Sequence, residues 1–338
     1  MGKKLTIHIG MGKTGSTAFQ QFLDAETEFL LRAGMHYLGR FLNKMDGPPP
    51  AGERSATSPE AVALRLSELD RFAAAQEGID HFIWSNEAIA QGKNTADIAE
   101  VAAAFLERSE AFSSVEILLV LRRQDEWLES AYRQWGLKHK LKTGYAVAMP
   151  EEFAETYAHQ LDYKTIHAAW GSRLPTSVHV YDDLRHKGGI VQYFCAHWGL
   201  EAPKKFEKYN SVHGSLGPSQ AHFVALNNRG EAEKVRDFDM RKVMRRYDLP
   251  ELSDGAPTVP PALRARVLEA QRENNAALAA TLGRDRLFHD RPVTDRAPYD
   301  NRVEDALTYL VQIARQQTEE IQRLRNRINK LEKKLGDD

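Results

Sequence analysis

The sequence predicts an α/β fold with a central parallel sheet, and three observations point to it. Near the N-terminus Leu5, Ile7 and Ile9 alternate as on a half-buried strand and run straight into a loop of Gly, Lys, Ser and Thr. The stretch Ile117 to Leu121 is continuously apolar, as suits a strand covered on both faces. Other short β-rich runs are separated by helical stretches, the rhythm of parallel strands joined by crossover helices.

Taken in order, the first strand ends at a loop in which Gly10, Gly12 and Gly15 let the backbone turn tightly and approach a ligand. Ser16 to Leu23 then reads as the first turns of a helix, and the stretch after Phe22 continues helical. Asp46 to Glu53, with three consecutive prolines, is an exposed loop that either borders the ligand opening or is an inert insertion. His81–Ser85 and Ser177–Tyr181 are further strands, while Ala99 to Leu106 and Gly189 to Trp198 have helical periodicity. Ser253 to Pro261 breaks the chain before a helix through Leu263, Val267, Leu268 and Ala270, and Asp290 to Asp300 precedes a terminal helix.

Composition narrows the class. A chain of 338 residues with 42% apolar content can bury a substantial core plus an appendage. A net charge of −1 gives no bulk attraction to nucleic acid or an anionic membrane, so its basic residues act locally. The lone Cys195 sits in an apolar helix and reads as a core thiol. No apolar run approaches the ~18 residues of a membrane span, and the apolar segment after Met1-Gly-Lys-Lys stops at the glycine loop, so a cytoplasmic location is expected. The histidines are scattered and there is no Cys pair or His-Glu-x-x-His, so no metal is expected.

The loop is the richest chemical signal. Free amides at the helix start, the Lys13 ammonium and the hydroxyls of Thr14, Ser16 and Thr17 form a cradle for a phosphate or sulfate. The ATP/GTP loop G-x-x-x-x-G-K-[ST] is matched only at its end, Gly12-Lys13-Thr14, because the position five before Gly12 is Ile7, inside the strand. The dinucleotide pattern is met by Gly10, Gly12 and Gly15 but lacks a second strand ending in an acid near residues 30–36.

Gly12-Lys13-Thr14-Gly15-Ser16-Thr17 resembles the 5′-phosphosulfate-binding motif of sulfotransferases that use 3′-phosphoadenosine 5′-phosphosulfate (PAPS). A second segment strengthens the resemblance. The apolar strand ends in Arg122 and Ser130 follows eight residues later in an amphipathic helix, the order of the family's 3′-phosphate motif. A guanidinium and a hydroxyl are apt phosphate ligands. The family often has Asn-Pro after the Arg, where this chain has Arg123-Gln124. Its C-terminal Arg-Lys-Gly loop is not recognisable; Lys204-Lys205 with Tyr209-Asn210-Ser211 is a substitute or a solvated basic loop.

The resemblance implies a P-loop-like three-layer fold and sulfuryl transfer from PAPS to a hydroxyl, less readily an amine, of a glycan or glycolipid, without a metal. It implies binding residues Gly12, Lys13, Thr14, Gly15, Ser16, Thr17, Arg122 and Ser130, with Lys13 neutralising the leaving phosphate. Glu87, directly after the His81–Ser85 strand, is the expected general base; its bland alternative is a first-turn acid favoured by the helix dipole after Ser85 as N-cap. His139, among Lys138 and Lys140, is the second candidate, and mid-strand His8 reads as a core histidine. A small-molecule kinase using ATP-Mg²⁺ and a non-catalytic nucleotide-binding scaffold are the alternatives.

Residues 1–290 are expected to form the catalytic domain and 291–338 a linker and C-terminal coiled-coil helix. The seam has Leu307, Ala314, Ile321, Ile328 and Leu335 at a, with Val303, Leu310, Gln317, Leu324 and Leu331 at d. Glu320 would face Arg325 of a second copy and Arg327 would face Glu332, giving a parallel homodimer; the alternative is a helix folded back on its own domain.

Overall fold

The computed structural model describes residues 2–45, 58–137, 148–210, 216–230 and 237–336. They divide into two compact units. The first comprises residues 1–127, 156–214 and 266–292; the second comprises 128–155, 215–265 and 293–338.

The first unit is an α/β layer structure around five parallel strands: β1 (Lys3–His8), β2 (Met35–Tyr37), β3 (His81–Ser85), β4 (Phe112–Leu121) and β5 (Thr176–Val180), in the spatial order β2-β3-β1-β4-β5. The α/β class and the strands at residues 5, 81, 117 and 177 follow the sequence pattern. β2, only three residues long, is the strand that pattern did not reveal. It ends near Arg40 rather than in the acid a dinucleotide site needs.

Alternation along β1 sorts the sheet into two faces. Leu5 and Ile7 share a face with Trp84, Ile117 and Leu119, all fully buried. Helices Pro59–Ala75, Thr95–Arg108 and Tyr163–Gly171 lie on this side, where Phe72 meets Phe82 and Phe105 meets Phe112 edge-on or tilted. Thr6 and His8 share the other face with Ser85, Glu116, Leu118 and His179. Helices Ser16–Ala25 and Ile190–His197 cover it through Phe19, Phe22 and Phe194, and the buried thiol of Cys195 belongs to this core. Burial pushes that thiol up to about 11, as fits an inert packing group.

The second unit is helical, with Pro218–Gly230, Asp237–Arg246 and the long Arg302–Gly336 helix. Tyr309 anchors it: the ring is fully buried against Phe223, and its hydroxyl donates to the Pro250 carbonyl at 2.6 Å. Among the described residues no helix is long and apolar enough to cross a membrane.

Candidate functional site

Because all five strands are parallel, their carboxyl ends form one edge of the sheet, and β1 sits between β3 and β4 where the connections change direction. Ligands in such sheets bind beyond that edge, at this switch point. The segments leaving it contain Lys13 after β1, Arg40 after β2, Glu87 after β3, Arg122 after β4 and Tyr181 after β5.

The chain after β1 stays paired with β4 as far as Met11, whose N–H donates to the Val120 carbonyl at 3.0 Å. The loop then turns sharply. Lys13 takes a left-handed backbone (φ 71°), a conformation that disfavours a side chain. Both flanking carbonyl groups are held in place: the Trp127 indole N–H donates to the Gly12 carbonyl at 2.9 Å, and the Arg122 guanidinium donates to the Lys13 carbonyl at 3.1 Å. Gly15 follows with φ 87°, where a residue without Cβ is favoured, and starts the Ser16–Ala25 helix without a side-chain cap. The first-turn amides of that helix are therefore not capped by a side chain of the Gly15 position, and an uncapped helix start is the kind of place where anions bind.

The predicted ligands of the loop differ in exposure. Gly12, Thr14 and Ser16 are buried, Lys13 and Gly15 are half-buried, and Thr17 is exposed. The Thr14 hydroxyl donates to the Met11 carbonyl, which fixes the turn. Lys13 is half-buried and partnered.

Of the two adjacent arginines, only Arg122 turns to the loop. Its guanidinium lies 5.1 Å over the Tyr181 ring and 3.6 Å from the Glu126 carboxylate, and its carbonyl accepts from the Tyr163 hydroxyl at 2.8 Å. Arg123 is buried in a two-pronged pair with Asp125 at 2.7 and 2.9 Å. Burial opposes its charge, but the Asp125 carboxylate outweighs that and holds its pKa above the usual value. Ser130 is half-buried on the last turn of Gln124–Ala131 and belongs to the second unit. There its neighbour Glu129 accepts from the Thr258 and Val259 backbone N–H groups.

Glu87 follows β3 as its position in the sequence requires. It, rather than Ser85, is the N-cap residue of the short Ala88–Gln91 helix, with no side-chain capping bond. Its carboxylate is gripped from two sides. The Gln20 amide donates to Oε2 at 2.7 Å, and the Arg40 guanidinium lies 3.2 Å from Oε1. Behind Gln20, the Ser85 hydroxyl is shared with the ring of His8 at 2.8 Å. His8 is the core histidine its position suggested: burial, then the charge of His179, lower its pKa to about 3.

Neither Gln20 nor Arg40 stood out in the sequence. Gln20 lies 67 positions from Glu87, and no local pattern marks such a pairing. His139 and the Asp46–Glu53 loop lie outside the described residues. Of the candidate basic loop, Lys204 and Lys205 are exposed, while the Tyr209 hydroxyl donates to Glu26 at 2.6 Å and closes the end of the Ser16–Ala25 helix. Ser211 also lies outside the described residues. Among the described residues, no group of three or more His, Cys, Asp or Glu side chains is arranged to hold a metal ion.

No family profile and no curated protein matches the chain. Among solved structures, a sulfotransferase from Alicyclobacillus acidocaldarius is similar over 84% of this chain and 98% of its own, at 12% sequence identity and a TM-score of 0.42.

Proposed function

We propose that this protein is a sulfotransferase that moves the sulfuryl group of PAPS to an acceptor hydroxyl of a glycan or glycolipid. The observation behind the proposal is the Lys13 turn. A lysine is held in a left-handed backbone at the start of a helix, and the arginine that ends the neighbouring strand braces it. Such strain persists only where its surroundings impose it, and it concentrates where a side chain must meet a ligand.

In this reading the helix N-terminus and the loop amides of residues 12–17 hold the 5′-phosphosulfate, and Arg122 takes the 3′-phosphate. The acceptor oxygen attacks sulfur as its proton passes to the Glu87 carboxylate. The new O–S bond forms while the bond from sulfur to the bridging phosphate oxygen breaks, and 3′,5′-bisphosphoadenosine leaves. Lys13 neutralises charge growing on that oxygen, a preorganised electrostatic effect that commonly contributes ~3–4 kcal/mol.

The decisive experiment compares melting temperatures with 3′,5′-bisphosphoadenosine, adenosine 5′-phosphosulfate and ATP-Mg²⁺, followed by mass spectrometry of glycan acceptors incubated with PAPS. Stabilisation by the bisphosphate and an 80-dalton gain on an acceptor (the mass of SO₃) are expected; ligand binding to the native state raises apparent stability. Stabilisation by ATP-Mg²⁺ alone would favour a kinase, and ligand binding without any product a scaffold.

The same reading includes a parallel homodimer through the C-terminal helix. It is supported by the apolar seam residues Ile321, Leu324, Ile328 and Leu331, each about half exposed in the single chain.

A further inference from the structure

The Glu87 corner contains more order than a lone carboxylate at a sheet edge requires. Gln20 lies one turn into the helix that begins at the Lys13 loop, so it shares a helix face with Ser16. Its amide nitrogen contacts the Ser85 carbonyl at 3.2 Å and Glu87 Oε2 at 2.7 Å. A carbonyl and an ionised carboxylate can only accept, so the nitrogen, not the oxygen, of the amide must face them. Both of its hydrogens are then engaged, one by Glu87 and one by Ser85.

That assignment propagates. With the amide donating toward Ser85, the Ser85 hydroxyl carries the contact on to His8 Nδ1 at 2.8 Å. His8 is fully buried, and its ring fills the space where a Cβ on Gly10 would stand, 2.4 Å from Nε2. A buried polar column thus runs from His8 under the glycine loop through Ser85 and Gln20 to Glu87. On the outer side the Arg40 backbone is pinned by the Trp84 indole, which donates to its carbonyl at 3.0 Å.

Resting on the proposed sulfuryl transfer, we infer that Gln20 is a positioning residue that ties the acceptor-activating carboxylate of Glu87 to the helix holding the donor. The column fixes the rotamer of Gln20, and Gln20 and Arg40 together fix the plane of the carboxylate. Because Gln20 and the anion-binding amides belong to one rigid helix, donor and base keep one geometry. An error of about 1 Å in such geometry can lower turnover ~100-fold.

The test uses the full-length protein with PAPS and a sulfated acceptor identified by mass spectrometry. Gln20→Met, similar in length but without a donor, should lower kcat about 10- to 100-fold. The KM for PAPS and the binding of 3′,5′-bisphosphoadenosine should stay within about twofold, because the donor-holding amides are untouched. Glu87→Gln should lower kcat about 100-fold or more, the scale of a lost general base. The double variant should be no slower than Glu87→Gln alone, since Gln20 acts only through that carboxylate. Should Gln20→Met fail to fold by circular dichroism, Gln20→Asn keeps a polar amide in the column but falls one methylene short, and the same kcat loss is expected. A normal kcat in a Gln20 variant beside a defective Glu87→Gln, or losses that multiply in the double variant, would overturn the inference alone. An inactive wild type, or a fully active Glu87→Gln, would overturn the reading of the site and the inference with it.

Discussion

The two faces of the parallel sheet solve different problems with the same strands. On one, Leu5, Ile7, Trp84, Ile117 and Leu119 form a dry apolar layer. On the other, Thr6, His8, His81, Ser85, Glu116 and His179 are interleaved with aromatic rings, and the polar column that ends at Glu87 starts there. Polar groups inside a core are worth their desolvation cost only when paired, and they bring specificity and a dependence on conditions that an apolar layer lacks. The polar face lies behind the candidate site, and the apolar face keeps the sheet together whatever the solvent does.

Acid should separate the faces most strongly. Burial, aided by the charge of His179, lowers His8 to about 3; burial, then Lys4, lowers His81 to about 4; burial, then His197, lowers His179 to about 4. In each case the folded pKa lies below the unfolded value near 6.5, so the unfolded chain binds more protons. Stability is therefore full above that value and falls as pH drops from 6.5 toward 4. At about 1.4 kcal/mol per group per pH unit, the three groups together approach ~4 kcal/mol per unit. Denaturation midpoints should fall steeply between pH 6.5 and 5. Ile7→Ala, on the apolar face, should instead subtract ~2–5 kcal/mol by an amount that does not change between pH 7 and 8.5. A wild-type midpoint that is flat down to pH 5 would show that the histidines are not held neutral.

The edge above the sheet should behave differently from both faces. Lys13→Ala is expected to lower kcat about 1,000-fold, within the range for a lost electrostatic stabiliser, with little change in melting temperature. Removing a side chain from a strained backbone position does not open a cavity in the core. Turnover within about tenfold of wild type would take Lys13 out of the mechanism. A drop in melting temperature as large as that of Ile7→Ala would make it a structural lysine.

What the sequence reveals of each region follows from the range of its interactions. The alternation of Leu5, Ile7 and Ile9 and the apolar run to Leu121 are local patterns, and they give the sheet. The glycine loop and Arg122 are legible because their chemistry is written in residue type. β2 is too short for a period to emerge, with only Met35, His36 and Tyr37. Gln20 reads as one polar position of an amphipathic helix, and only the packing of that helix against β3 turns it toward Glu87. The commitment of the Thr14 hydroxyl to Met11 depends on loop geometry that no spacing rule encodes.

The C-terminal helix repeats the contrast within one element, and its predicted effect on catalysis is the smallest. Its first half has two stripes. Ala306 and Tyr309 are buried within their own unit, and Gln312 and Gln316 donate to the Tyr247 carbonyl at 2.8 and 3.0 Å. Val303, Leu307 and Leu310, on the seam, remain exposed. Gln317 donates to the Tyr247 hydroxyl and Glu320 pairs with Arg246 at 2.9 Å, so the first of the expected inter-chain ion pairs has a competitor inside the chain. From Ile321 onward the seam alone remains, with Leu324 and Ile328 about half exposed. A stripe of this kind on a helix with no second partner is costly in water, and pairing with a second copy in heptad register would bury it. Replacing Leu324 and Ile328 together by Glu should halve the mass measured by light scattering and leave the melting of the Tyr309-anchored half and the rate per active site unchanged. If the doubly substituted protein keeps the wild-type dimer mass, the seam is not the contact; if the wild type itself weighs 38.2 kDa, there is no dimer to break.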